Sequence, residues 1–334
     1  MKAETGGSSM FLSLFGAVES GAIYAIMALG VYLSFRVLDF PDLTVDGSFV
    51  TGAAVAAVSI MNGFPPFIAT IIGTLAGFLS GCITGILHTK GKINALLSGI
   101  LMMIALYSIN LRIMGSPQIS LLNEATIKSQ IVSIWEKTGL DPLLNNMLAL
   151  TKLDKFPSTW GILIVMSILV IIIKLLADYF LKTEVGLALR ATGNNQKMIR
   201  SFSANTDTLI ILGIGISNGL VALSGALIAQ HGGFADVGMG IGMIIIGLAS
   251  VIIGEAIFGT KTIFRATLAV LLGAIIYRIV VTLALRVDFL ETGDMKLITA
   301  LLVILALIAP KMLQARREKK RRQAKQALIE MEDV

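Results

Sequence analysis

Charge is what this sequence has least of. Lysine, arginine, aspartate and glutamate make up 14% of the 334 residues, against roughly 25% in a soluble domain. A water-solvated fold of this length is excluded, and a 55% hydrophobic content with mean hydropathy +0.85 makes lipid the solvent. The one cysteine, Cys82, sits in an apolar run, which excludes an intrachain disulfide and leaves the redox compartment unread. Near His231 no second His or Cys stands at ligand spacing, so a metal centre is not expected. Alternating ten-residue segments are missing, which excludes a transmembrane β-barrel. The opening "MKAETGGSSM" lacks a basic n-region and precedes a run long enough to stay as a span, so no cleavable leader is expected. Nor is there a nucleotide loop. "GILHTKGKI" (85–93) and "GEAIFGTKT" (254–262) both miss the four-residue spacing followed by Gly-Lys-Ser/Thr. The chain therefore carries no ATP cofactor of its own.

What the sequence does have is apolar stretches near the 20 or so residues a span needs. Nine qualify: 10–35, 43–61, 66–88, 92–115, 158–181, 207–230, 241–258, 263–285 and 295–310. The fold class is thus an all-α polytopic membrane protein of about nine helices (eight to ten). Basic residues cluster at Lys90 and Lys92, in 182–206 (Lys182, Arg190, Lys197, Arg200), at Lys261 and Arg265, and along the tail after Pro310. Placing all four clusters on the cytoplasmic side satisfies the parity of every connection. The N-terminus and the segment 116–157 then lie outside and the C-terminus inside. Residues 1–310 read as one membrane domain and 311–334 as a basic cytoplasmic tail. That tail is expected to meet anionic lipid and not nucleic acid, since it lacks a fold and interleaved aromatics.

Several polar residues fall where lipid would not tolerate them. "FPDLTVDGSF" (40–49) sets Asp42, Thr44 and Asp46 between two apolar segments, behind Pro41. Pro41 suits the first position of a helix and an acid there favours its positive end, so Asp42 reads either as a cap or as a solute contact, with Asp39 balancing Arg36. "FADVGMGI" (234–241) repeats the pattern around Asp236, after another long apolar helix. By the topology above, the spans before the two motifs run in opposite directions. That predicts an inverted repeat with two broken helices. Asp46 has no counterpart, because Gly240 stands at the matching position. Arg278 lies in mid-span, where an unpaired charge costs several kcal/mol by roughly any scale. It is expected to pair with Glu255 or with a carboxylate of a broken segment. Asn94, Asn110, Asn218 and Gln230 are further polar positions, and Gly73, Gly77, Gly81 and Gly85 form a stripe that implies close helix packing inside the bundle.

The segment 183–206, "TEVGLALRATGNNQKMIRSFSANT", reads as a helix, a Gly-Asn-Asn break and a second helical piece on the cytoplasmic surface. Thr183, Val185, Gly186, Arg190, Ala191, Gly193 and Asn195 resemble the cytoplasmic coupling loop of ABC importer permeases of the branched-chain amino acid and ribose type. "LDFPDLTVDGSF", "TKGKINALLSGILMM", "SNGLVALSGALIAQ" and "IGLASVIIGEAIFG" are similar to further segments of that family, over about residues 17–310. The wording of "NLRIMGSP" and "GFADVGMGIGMI" is nearest a subgroup associated with uptake of aromatic amino acids such as tryptophan and tyrosine. Two departures stand out: the extra N-terminal helix of the ribose members is lacking, and the insert 116–157 is long.

The resemblance implies a homodimeric permease in a bacterial plasma membrane. Two separate ATPase subunits holding ATP and Mg would dock on 182–206, and an external solute-binding protein would deliver the solute. Thr183, Glu184, Gly186, Arg190, Ala191, Gly193, Asn194 and Asn195 would carry the coupling, and Asp42, Thr44, Asp46, Asn94, Asn218, Asp236 and Arg278 would line the path. An ion-coupled secondary transporter is the alternative from a different class. Branched-chain amino acids, sugars and nucleosides are the alternative solutes.

Overall fold

The computed structural model describes residues 2–149, 156–201 and 205–285, with six further positions between 297 and 308. The first helix, α1 (Lys2–Tyr32), ends in a π-helical turn, Leu33–Val37. Pro41 is the cause: it disfavours helical geometry at the residue before it. The chain unwinds through i→i−5 pairing (Leu38 N–H to Leu33 O, 3.0 Å), and Asp39 takes a left-handed φ of 52°. The helices α2 (Thr44–Met61), α3 (Pro66–Thr89) and α4 (Ala95–Met114) follow. The predicted external insert holds β1 (Gln118–Ser120), α5 (Ile127–Glu136) and α6 (Leu140–Ala149). Then come α7 (Gly161–Lys182), α8 (Glu184–Ser201), α9 (Thr206–Gly232), β2 (Phe234–Asp236), α10 (Met243–Phe258) and α11 (Ile263–Ala284).

Seven helices among the described residues are long and apolar enough to cross a bilayer: α1 with its π turn, α2, α3, α4, α7, α9 and α11. The predicted span 241–258 is shorter, a 16-residue α10, because the chain stays non-helical up to Gly242. The ninth predicted span, 295–310, falls outside the described residues except at those six positions, and the tail 311–334 falls outside entirely.

At the centre α2 and α9 meet α3 backbone to backbone, and α1 packs on α9. The glycine stripe of α3 is the reason. A side chain on Gly77 would overlap Ala222 of α9, and one on Gly81 would come within 2.5 Å of the Ile214 carbonyl. Lipid supplies no hydrophobic drive between helices, so dispersion and interhelical hydrogen bonds hold such contacts. Ser217 and Ser224 of α9 donate to the Gly30 and Ile23 carbonyls of α1 at 2.7 and 2.9 Å. The stripe is buried as expected, but the opposite face of α3 is not: Leu75 and Leu79 are more than half exposed. The contacts also recur in pairs. α2 packs on α3 as α10 packs on α11, α9 on α3 as α1 on α11, and α2 on α9 as α10 on α1.

The two ends of the bundle differ. At one, α8 and the α10–α11 turn gather beside Arg36. At the other, β1 pairs antiparallel with β2 (Gln118 opposite Asp236), and Phe15 of α1 meets Trp160 edge-on at 5.0 Å. The start of α1 thus lies at the end of the bundle that holds the insert.

Gly77→Val is expected to lower the melting midpoint of the detergent-solubilised chain, since overpacking costs about 1–3 kcal/mol. Leu75→Ala on the exposed face is expected to leave it unchanged. Size-exclusion chromatography after a heating series measures both, and equal midpoints would contradict the tight α3–α9 contact.

Candidate functional site

Asp42 closes the first break. Its side chain is fully buried. Oδ1 accepts the Thr44 N–H at 2.9 Å, a local turn that starts α2, and Oδ2 accepts the Asn218 side-chain N–H at 2.6 Å from α9. Thr44 shares a 2.8 Å hydrogen bond with Thr84 of α3. Asp42, Thr44 and Asn218 are therefore brought together, in a knot sealed from any open space by α3 and α9. Phe40 closes the other side, edge-on to His88 at 5.1 Å.

The second break repeats the device. Asp236 Oδ1 accepts the Gly238 N–H at 2.7 Å, the same i→i+2 turn that Asp42 makes. The chain then dips through Gly240, where a side chain would collide with the Asp46 carbonyl, and through Gly242, whose φ is 88°. Here Asp46 performs a role its sequence position did not announce. Its Oδ2 accepts the Gly242 N–H at 2.9 Å and its Oδ1 the Ile244 N–H at 2.8 Å. One carboxylate from α2 thus caps the first turn of α10, whose free N–H groups and positive end would otherwise go unanswered at membrane depth. The anion that a half-helix N-terminus invites is supplied by the protein itself.

The other predicted path residues stand apart from this junction. Asn94 caps α4, accepting the Leu96 N–H at 2.9 Å, and is exposed beside the Lys90–Lys92 turn. Among the described residues Arg278 is not paired with a carboxylate. Its Nε donates to Ser20 Oγ at 3.2 Å, and its guanidinium lies 4.7 Å from the Tyr24 ring. Glu255 is occupied by Arg36 at 2.5 Å, so Asp39 does not balance that arginine. Asn110 donates to the Gly47 carbonyl at 3.2 Å, and Gln230 ties α9 to α3 and α5 through Thr70 and the Ile127 N–H.

The predicted coupling segment is α8, kinked at Asn195 (φ −157°, ψ 89°) as the Gly-Asn-Asn break implied. Thr183 caps its first part through the Gly186 N–H at 3.3 Å. Asn195 caps the second through the Met198 N–H at 3.1 Å. Gly186 and Gly193 are points of contact: a side chain on Gly186 would strike the Phe180 carbonyl, and one on Gly193 the backbone of Val37 and Leu38. The segment rests on the π turn that precedes the first break. Glu184, Arg190, Asn194 and Asn195 are exposed, with Ala191 half-buried, and Arg190 lines cavities of about 520 and 700 Å³ together with Arg36 and Tyr32.

One buried ionic cluster escaped the sequence reading. Lys174 and Asp178 of α7 pair at 2.5 Å, both almost wholly buried. Thr267 of α11 donates to Asp178 at 2.6 Å, and Lys174 Nζ sits over the Phe264 ring. The signal was available, a lysine and an aspartate four apart inside an apolar span. Removing either partner leaves a buried charge.

Asp46→Ala is expected to cost about 0.5–2 kcal/mol of stability by uncapping α10. Asp46→Asn, which keeps one acceptor, is expected to lose less. Thermal melts of both variants in detergent rank the two, and equal losses would count against the cap.

The family described as branched-chain amino acid transport system, permease component, matches residues 13–308. The tyrosine transport system permease protein of Clostridioides difficile (strain R20291) is 41% identical over 291 residues, covering 87% of this chain and 89% of that protein. An uncharacterized protein of Rickettsia prowazekii (strain Madrid E) is 33% identical over 302 residues, covering 89% and 98%. No solved structure gives a significant match. With its apolar spans and this match over most of its length, the chain belongs to the branched-chain amino acid transport permease family and is a multi-pass protein of the bacterial inner membrane.

Proposed function

We propose that this chain is the membrane-spanning subunit of an ATP-driven importer for an amino acid, with an aromatic one such as tyrosine as the first expectation. It works as a homodimer with two ATPase subunits on α8 and an external solute-binding protein at the opposite end. The observation that carries the reading is the seat of α8. Gly193 lies directly on Val37 and Leu38, and Gly213 lies between Leu38 and Leu189. A push on α8 from a closing ATPase dimer therefore reaches the first break without passing through a loop. Exposed Val185, Leu187 and Met198 on α8 supply an apolar surface for a protein partner.

The basic clusters and the two ends of the bundle support one orientation. The basic turns at Lys90–Lys92 and Lys261–Arg265 and α8 face the cytoplasm, and the N-terminus with the insert faces outward. The paired helix contacts and the matching Asp42 and Asp236 turns favour two inverted halves, α1–α4 and α9 onward, with α7 between. Two grounds favour an aromatic amino acid: the relative from Clostridioides difficile is a tyrosine transport system permease, and the motifs around residues 110–117 and 233–244 resemble the aromatic-uptake subgroup.

Arg190→Glu is expected to abolish ATP-driven tyrosine uptake in proteoliposomes that hold the full complex, with the chain still folded by size-exclusion chromatography. Uptake that persists in the variant would overturn the docking surface. Uptake by the wild type that follows an ion gradient and ignores ATP would favour the secondary-transporter reading.

A further inference from the structure

Between α2, α4 and the second break lies a cavity of about 430 Å³, lined by Asp46, Ile104, Tyr107, Ser108, Asn110 and Ile241 among others. It belongs to neither the sealed Asp42 knot nor the Arg278 site. Tyr107 stands seven residues before the end of α4, so about 10 Å inside the helix by its rise.

We propose that this cavity is a solute-recognition site of the translocation path, taking the ammonium group and apolar body of a small zwitterion. Asn110 carries the argument. Its side chain is fully buried; Nδ2 donates to the Gly47 carbonyl, while Oδ1 has no partner among the described residues. Turning the amide over would set two oxygens against each other, so Gly47 itself fixes the orientation. A buried acceptor without a donor costs about 1–3 kcal/mol, and a ligand donor relieves it. The other polar groups of the wall are the Asp46 carboxylate and the Tyr107 and Ser108 hydroxyls, and no lysine or arginine is among its described lining residues. A carboxylate and an orphan amide oxygen with no base beside them favour a cationic donor over a free anion, and the two hydroxyls serve either as donor or as acceptor. The rest of the wall is branched and aromatic, and Tyr107 offers a ring face to an ammonium or to another ring. The volume lies within the roughly 300–1,000 Å³ of small-molecule sites.

Position points the same way. Tyr107, Ser108, Ile104 and Ile241 are exposed on this chain, and a hydroxyl beside a carboxylate is unsuited to lipid tails. A second copy of the chain, leaving a wet path between the two, covers such a face. The inference rests on the permease reading above, and it moves solute contact from Asp42, Thr44 and Asn218 to the face of α4.

The test uses the full-length chain in proteoliposomes, with Cys82→Ala as background. Ser108→Cys probes the cavity and Leu75→Cys the exposed face of α3. A charged methanethiosulfonate reagent needs water and a thiolate, so Ser108→Cys is expected to label about tenfold faster than Leu75→Cys. L-tyrosine is expected to slow that labelling and D-ribose to leave it unchanged. Adding Asn110→Leu is expected to remove the protection while the labelling rate stays. Equal, slow labelling of both cysteines overturns the wet path; fast labelling with no protection by L-tyrosine overturns recognition; protection that survives Asn110→Leu overturns the role of Asn110. Uptake by the wild-type complex is scored separately. ATP-driven uptake without labelling sinks this inference alone, whereas labelling and protection with ion-driven uptake sink only the coupling to ATP.

Discussion

Backbone that leaves helical pairing inside a membrane must find every partner within the protein, and three aspartates meet that demand here. Asp42 and Asp236 each turn the chain by accepting an N–H two residues on. Asp46 reaches from α2 to the free N–H groups of α10. Without these acceptors neither break survives at membrane depth. The short α10, the strand pair β1–β2 and the cavity beside α4 all exist because the second break does. The cap also joins the two breaks to each other, so a shift of α2 carries the start of α10 with it.

Contact, and not charge, links this junction to the surface. The helices touch through glycines, which lets backbone press on backbone, and the kinked α8 uses the same device at Gly193. Close packing of this kind transmits displacement because it has little room to absorb it. The ion pairs have narrower duties: Arg36 with Glu255 ties the end of α1 to the end of α10, and Lys174 with Asp178 anchors α7 on α11.

Much of this was legible in the residues. Pro41 and Asp42 mark the first break, the glycine spacing marks the buried face of α3, and Gly-Asn-Asn marks the kink in α8. Arg278 is visible as a mid-span outlier, yet its partners Ser20 and Tyr24 are not, because they lie on a helix far away in sequence. Asp46 was expected on the path, but its role as the cap of α10 was hidden for the same reason. Its ligands are backbone N–H groups, and those carry no residue identity to read. The pairing of residues 118–120 with 234–236 likewise depends on which chain ends meet once the bundle has formed.

The Lys174–Asp178 pair has a consequence for how the chain enters the bilayer during synthesis. Both charges sit on one helix, four residues apart, in the most apolar of the described spans. The helix α7 brings its own counter-ion and can partition into lipid before α11, with Thr267, has been made. Helix α10 has no such independence, since its first turn needs a carboxylate from α2. The chain order serves it, because α2 is already in place when α10 emerges from the ribosome.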